Sequence, residues 1–158
     1  MSNGIETAEF NKSDVGFCDV LEFVLKNDHL FPDPFSIHVD VSVYLRKLIG
    51  NAQVLVAKDD GIFCGLACAY MNDNVSKTAH LQLLLVDGEH QGKGVGRQLC
   101  REVLRFAKMY GMERLLLVVD KSNTVAENLY KSLGFLDCAE RHGNPDKKNL
   151  ERLLITRT

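Results

Sequence analysis

The stretch best equipped for chemistry is Val86-Asp87-Gly88-Glu89-His90-Gln91-Gly92-Lys93-Gly94-Val95-Gly96-Arg97. An apolar run precedes it and an amphipathic one follows, so it leads from a strand into a helix. Alternating glycines at Gly92, Gly94 and Gly96 let a backbone turn sharply and approach a ligand closely. The next amides lack helical partners and point outward at the positive end of the helix dipole. That geometry binds pyrophosphate, and Lys93 and Arg97 add positive charge. Two familiar phosphate loops do not fit. A P-loop needs four residues between its glycines, then Lys and Ser or Thr; here three residues separate Gly88 from Gly92, and Gly94 follows Lys93. A dinucleotide fingerprint needs Gly-x-Gly-x-x-Gly, whereas this run is Gly92-x-Gly94-x-Gly96.

A second constellation lies downstream. Asn123 and Tyr130 are seven residues apart, which returns them to one helix face about 10 Å apart along the axis. A phenol with a pKa near 10 is protonated at neutral pH and can act as an acid. The strand ahead of the glycine loop, 78–86, carries no acidic residue. By strand alternation His80 and Gln82 share a face with Leu84 and Val86, and His80 has a suitable unperturbed pKa for a base. Glu89 and His90 lie in the loop and shape it.

Gln91-Gly92-Lys93-Gly94-Val95-Gly96 resembles the Gln/Arg-x-x-Gly-x-Gly/Ala signature of the Gcn5-related N-acetyltransferases, the GNAT family. Asn123-x-x-Ala126-x-x-x-Tyr130-x-x-x-Gly134-Phe135 resembles the family's second signature, at the right separation and in the right order. A mild departure is Gly88, where many members carry Pro. The resemblance implies an acyl-CoA-dependent N-acyltransferase, using acetyl-CoA as cosubstrate and no metal. Gln91, Gly92, Lys93, Gly94, Val95, Gly96 and Arg97 would hold the pyrophosphate. The backbone of Leu84, Leu85 and Val86 would pair with the pantetheine arm as with a strand, and Asn123 would contact the same arm. Tyr130 would protonate the departing thiolate. A Glu on the strand before the loop serves several members as base; with none here, His80 is the candidate. A catalytically weak CoA-binding sensor or partner-binding module of the same fold is the alternative, and an unrelated phosphate-binding α/β protein a more distant one.

These groups must be positioned by the rest of the chain. Residues 5–10 read as a first strand. Asp14 can cap a helix with Phe17, Val20, Leu21, Val24 and Leu25 on its apolar positions. A loop over 27–34 contains Pro32 and Pro34. Val41, Tyr44, Leu45, Leu48 and Ile49 mark a second helix, ended by Gly50-Asn51. Strands at 52–58, 62–71 and 78–86, joined by short turns, pair antiparallel. A helix over 94–110 buries Val95, Leu99, Val103, Phe106 and Tyr110 and turns out Arg97, Arg101, Arg105 and Lys108. The apolar run 115–119 reads as a central strand buried on both faces. A helix at 123–133 and strands at 135–141 and 150–156 complete the order β-α-α-β-β-β-α-β-α-β-β. That order predicts an α/β (α+β) fold: one mixed, partly antiparallel sheet with helices on both faces, the GNAT-like arrangement.

The 158 residues are expected to form a single domain, 1–158. No apolar run approaches the roughly 20 residues that span a bilayer, and the first residues carry no secretory pattern, so no membrane and a cytoplasmic location are expected. The five cysteines form no C-x-x-C pair and read as small buried hydrophobes in a reducing compartment. No His, Cys or Asp cluster has metal-ligand spacing.

A net charge of −2 gives no support to nucleic-acid binding. The charge is uneven: 6 basic and 13 acidic residues over 1–90 give −7, and 13 and 8 over 91–158 give +5. The basic half suits a local anionic ligand. The acceptor would be a small-molecule or peptide amine, bordered by the first two helices, their loop and the loop over 141–149. Asp28 and Asp33 would make an acidic mouth that favours a cation. Monomer and homodimer both remain open.

Overall fold

The computed structural model describes residues 4–140 and 142–154. Its elements are β1 (Ile5–Glu9), α1 (Phe17–Asn27), α2 (Val41–Asn51), β2 (Gln53–Asp59), β3 (Ile62–Tyr70), β4 (Thr78–Val86), α3 (Val95–Met109), β5 (Arg114–Asp120), α4 (Thr124–Ser132), β6 (Leu136–Asp137) and β7 (Lys147–Leu153). The predicted order is the observed one. The seven strands form one sheet in the order β1-β2-β3-β4-β5-β7-β6. Among the described residues only β4 and β5 run parallel; α3 makes the crossover between them.

Apolar side chains collect on both faces. Val20, Phe23, Val24, Leu45 and Leu48 of α1 and α2 pack on Val54, Val56, Leu66, Leu83 and Leu85. Val95, Leu99, Val103 and Phe106 of α3 pack with Leu115, Leu117, Phe135 and Leu150 on the other face. Gly65 in β3 sets how close α3 comes. A Cβ there would lie 2.8 Å from both Leu99 Cδ1 and Val95 Cγ1, so hydrogen at this position is what lets the helix rest on the sheet.

Several local expectations are corrected. Asp14 does not cap α1. Gly16 stands at the cap position, its N–H donating to Asp19 Oδ2 at 2.8 Å, and Asp14 instead pairs with Lys58. Leu25 is exposed, and Phe23 takes the buried position, stacked on Phe63 at 4.4 Å. Tyr110 lies past the end of α3, is exposed, and donates to Gln53 Oε1 at 2.9 Å. The strand at 115–119 is buried on one face only: Val118 is 49% exposed while Leu117 and Val119 are buried. Phe135 is buried ahead of β6, which stops at Asp137. β7 begins at Lys147, before its predicted start. Arg141 and the last residues of the predicted 150–156 strand, Ile155 and Thr156, lie outside the described residues. Cys64, Cys68 and Cys100 are buried as expected, but Cys18 is exposed and Cys138 half-buried.

The loop after β4 is tied down by a buried polar group. The Asp87 N–H donates to Cys64 O of β3 at 2.9 Å. The Asp87 carboxylate accepts from the Glu89 N–H at 3.2 Å, faces His90 Nδ1 at 3.3 Å, and lies 3.5 Å from Lys26 Nζ. His90 Nε2 lies 3.4 Å from Asp59 Oδ2, and Gly88 N–H donates to the buried Asn27 at 3.2 Å. Burial works to raise the Asp87 pKa, but His90, Asn27, the Glu89 amide and Lys26 together outweigh it and hold the carboxyl below its usual range.

Two outcomes follow. Gly65→Ala is expected to lower stability by about 1–3 kcal/mol through overpacking, read as a lower urea midpoint with an unchanged slope. Asp87 contributes stability that is present above its unfolded pKa near 3.9 and lost as pH falls through its lower folded value. Urea midpoints should therefore fall on acidification below about pH 4, and Asp87→Asn should be less stable at neutral pH with a shallower acid dependence.

Candidate active site

β4 and β5 are paired only at their starts. The register runs from Thr78 opposite Arg114 to Leu81 opposite Leu117 and then stops. Beyond that point the strands separate. On its other edge β4 carries a bulge: Cys68 faces Leu83 and Ala69 faces Leu81, which leaves Gln82 as the extra residue. Between the separated strands lies a cleft of about 270 Å³. Leu81–Leu84 form one wall and Leu117–Asp120 the other, with Asn123, Ala126 and Tyr130 reaching it from α4 and its cap.

The bulge changes which way β4 side chains point. Ala79 and Leu81 belong to the core under α3, whereas Leu83 and Leu85 belong to the core under α1 and α2. Leu84 and Val86 pack back on the α3 side. His80 and Gln82 therefore do not share a face with Leu84 and Val86; one inserted residue reverses the alternation. His80 lies opposite Tyr70 and Leu116 in the sheet and is not among the residues lining the cleft. The structure brings Tyr130, Asn123 and Leu84 together and leaves His80 outside. Leu85 and Val86 pair with Leu66 and Gly65 of β3.

The glycine loop continues from the same strand. Asp87 opens a single tight turn over Gly88–His90, and Gln91 Nε2 donates back to Val86 O at 3.4 Å. Gly94 occupies the N-cap position of α3 at φ +84°, a left-handed conformation that L side chains rarely adopt. The helical ladder begins with Gln98 N–H to Gly94 O at 3.0 Å, so the amides of Val95, Gly96 and Arg97 lie ahead of it. Gly96 has a different role, since a Cβ there would sit 3.4 Å from Leu129 Cδ2 of α4. Gln91, Gly92, Lys93 and Gly94 are exposed, Arg97 is half-buried and Val95 is buried.

Asn123 caps α4, its side-chain oxygen accepting from Ala126 N–H at 3.2 Å. Tyr130 is buried, its ring edge-on to Phe135 at 5.6 Å. Burial, and then the nearby Cys100, push the phenol's pKa well above its ordinary value, which keeps it protonated at neutral pH. The Cys100 thiol is itself pushed up to about 12 by burial, despite Arg97, so it is no thiolate nucleophile.

The expected acidic mouth is not as drawn. Asp28 is buried, and its carboxylate accepts from Ser36 N–H at 3.3 Å. Asp33 does reach the cleft, but it is held by His38 Nε2 at 2.7 Å and Lys147 Nζ at 3.2 Å. Hydrogen bonds from those two groups keep its carboxyl below its usual range. Phe31, Tyr44, Asp120 and Lys147 also line the cleft and were not singled out from the sequence. Asp120 had a visible signal: it is the polar residue ending the apolar run, three before Asn123.

The family profile described as "Acetyltransferase (GNAT) family" matches residues 24–135. The chain is 42% identical over 62 residues to the uncharacterized N-acetyltransferase YobR of Bacillus subtilis, covering 39% of this chain and 25% of that protein. It is 31% identical over 120 residues to the N-acetylaspartate synthetase of Xenopus tropicalis, covering 73% of this chain and 44% of that one. The chain thus spans from a quarter to under half the length of these curated relatives. Its fold is similar to the ribosomal-protein-S18-alanine N-acetyltransferase of Escherichia coli, with a TM-score of 0.76 at 19% identity, covering 98% of this chain and 96% of that one. The chain belongs to the GNAT family of acetyltransferases.

Proposed function

We propose that the chain transfers the acetyl group of acetyl-CoA to a primary amine by direct attack of the amine on the thioester. The separation of β4 from β5 carries this reading: it leaves a strand edge able to take the amides of a pantetheine arm. The arm would run past Leu84 toward the glycine loop. There the amides of Val95, Gly96 and Arg97, at the positive end of α3, suit the pyrophosphate, with Lys93 and Arg97 adding charge. The cap of Asn123 uses its oxygen, which leaves its NH₂ to donate toward the arm.

Tyr130 supplies the proton for the leaving sulfur. A phenol buried against Phe135 is pre-oriented and remains protonated, the state a general acid needs. The unbridged cysteines suit a reducing compartment such as the cytoplasm. The named relatives differ in what they act on, so the acceptor is read from this chain's own cleft.

Gly94→Val forces a β-branched residue into a left-handed conformation that costs about 1–2 kcal/mol. CoA affinity, measured by calorimetric titration, should fall by roughly tenfold while the far-ultraviolet circular dichroism is kept. Tyr130→Phe keeps the ring and removes the hydroxyl. With chemistry rate-limiting, kcat should drop about 10²–10⁴-fold with CoA affinity retained. An unchanged kcat would remove Tyr130 from its role, and CoA binding without thioester consumption across a panel of amines would favour a CoA-binding sensor.

A further inference from the structure

The cleft opens into a second depression of about 640 Å³. Pro32, Lys121, Ser122, Asn144 and Asp146 line this outer basin but not the cleft, and Tyr130 and Asn123 line the cleft but not the basin. Asp33, Asp120 and Lys147 line both. A donor lying in the narrow cleft and an acceptor entering by the basin meet where the two spaces join. The residues at that junction are thus placed to receive the incoming amine, while Tyr130 lines the cleft within.

Two of the three are already engaged. Lys147 Nζ lies 3.2 Å from Asp33, which also holds His38. Lys148, beside it, is committed to Glu127 and Asp137. Among the described residues the Asp120 carboxylate takes no ion pair or hydrogen bond; its backbone oxygen accepts from Asn123 N–H at 2.9 Å, and its backbone lies opposite Lys147 in the β5–β7 ladder. β4 carries no carboxylate, and His80 stands outside the cleft.

We propose that Asp120 receives the acceptor as a primary ammonium and takes its proton, so that the preferred acceptors are cationic amines. This rests on the acetyl-transfer reading above. The ammonium gives one proton to Asp120, which passes it to solvent. The neutral amine nitrogen bonds to the thioester carbonyl carbon, and the carbon–sulfur bond breaks as the carbonyl re-forms. The sulfur takes the Tyr130 proton, and the phenol recovers one from the second N–H lost by the nitrogen. The products are the amide, free CoA and one proton. The charged and titratable groups lining the two spaces beside Asp120 are Asp33, Lys147, Asp146, Lys121, Tyr44 and Tyr130. With Asp33 and Lys147 neutralising each other, Asp120 and Asp146 outnumber Lys121, which suits a cation and opposes a phosphate.

The test uses the full chain with acetyl-CoA and matched primary amines that differ only in a remote phosphate. Wild type should prefer the unphosphorylated member. Asp120→Asn should lower kcat/KM for it by about 10²–10⁴-fold, with CoA affinity by calorimetry unchanged. Its residual rate should rise with pH as the amine's free base does, and Asp120→Glu should restore part of the loss. Wild-type turnover by Asp120→Asn, an equal loss of CoA affinity, or preference for the phosphorylated amine overturns the assignment of Asp120 alone. A wild-type chain that binds CoA and acetylates no amine overturns the acetyl-transfer reading and this assignment with it.

Discussion

Everything at the site depends on a parallel strand pair that stops pairing partway. Backbone N–H and C=O groups must be satisfied by a strand, by water or by a ligand. Past Leu81 and Leu117 the inner edges of β4 and β5 face each other across a gap instead of a ladder. The bulge at Gln82 lets β4 bend away while its outer edge stays paired with β3. An unpaired edge of this kind, enclosed between core strands, is a matrix for another extended chain of amides. It also fixes the placement of what surrounds it: α3 starts from the end of one arm of the gap, and α4 from the end of the other.

Anchoring turns that opening into a defined shape. Gly65 seats α3 against β3, and Asp87 draws the loop between β4 and α3 down onto α1 and the β2–β3 hairpin. The loop is exposed, yet it is held from beneath by buried or half-buried polar partners. A ligand binding there meets amides already aimed, and less ordering entropy opposes binding.

Much of this was legible in the residues. Helical spacing and β-branched runs located the eleven elements, and Asn123 and Tyr130, singled out by their spacing, both line the cleft. What escaped was set by tertiary geometry. A single inserted residue at Gln82 reversed the facing of β4 and moved His80 away from the site; no residue type marks such an insertion. The apolar run 115–119 could not show that Val118 faces an opening rather than a helix. Asp28 and Asp33 were acids in a loop, and only the fold shows one buried on Ser36 N–H and the other bound to Lys147. Charge counts report how much charge a segment carries, not how much of it is already paired.

The Asp33–Lys147 pair joins the loop after α1 to the first residue of the last strand. Its partners come from opposite ends of the sequence, and the outer basin has walls from both. The basin therefore needs both segments in place. The glycine loop and its helix are built from nearby sequence, but the outer basin requires a long-range closure between residues 33 and 147, which chain entropy opposes. A chain that had folded everything except β7 would keep its glycine loop and have no outer basin.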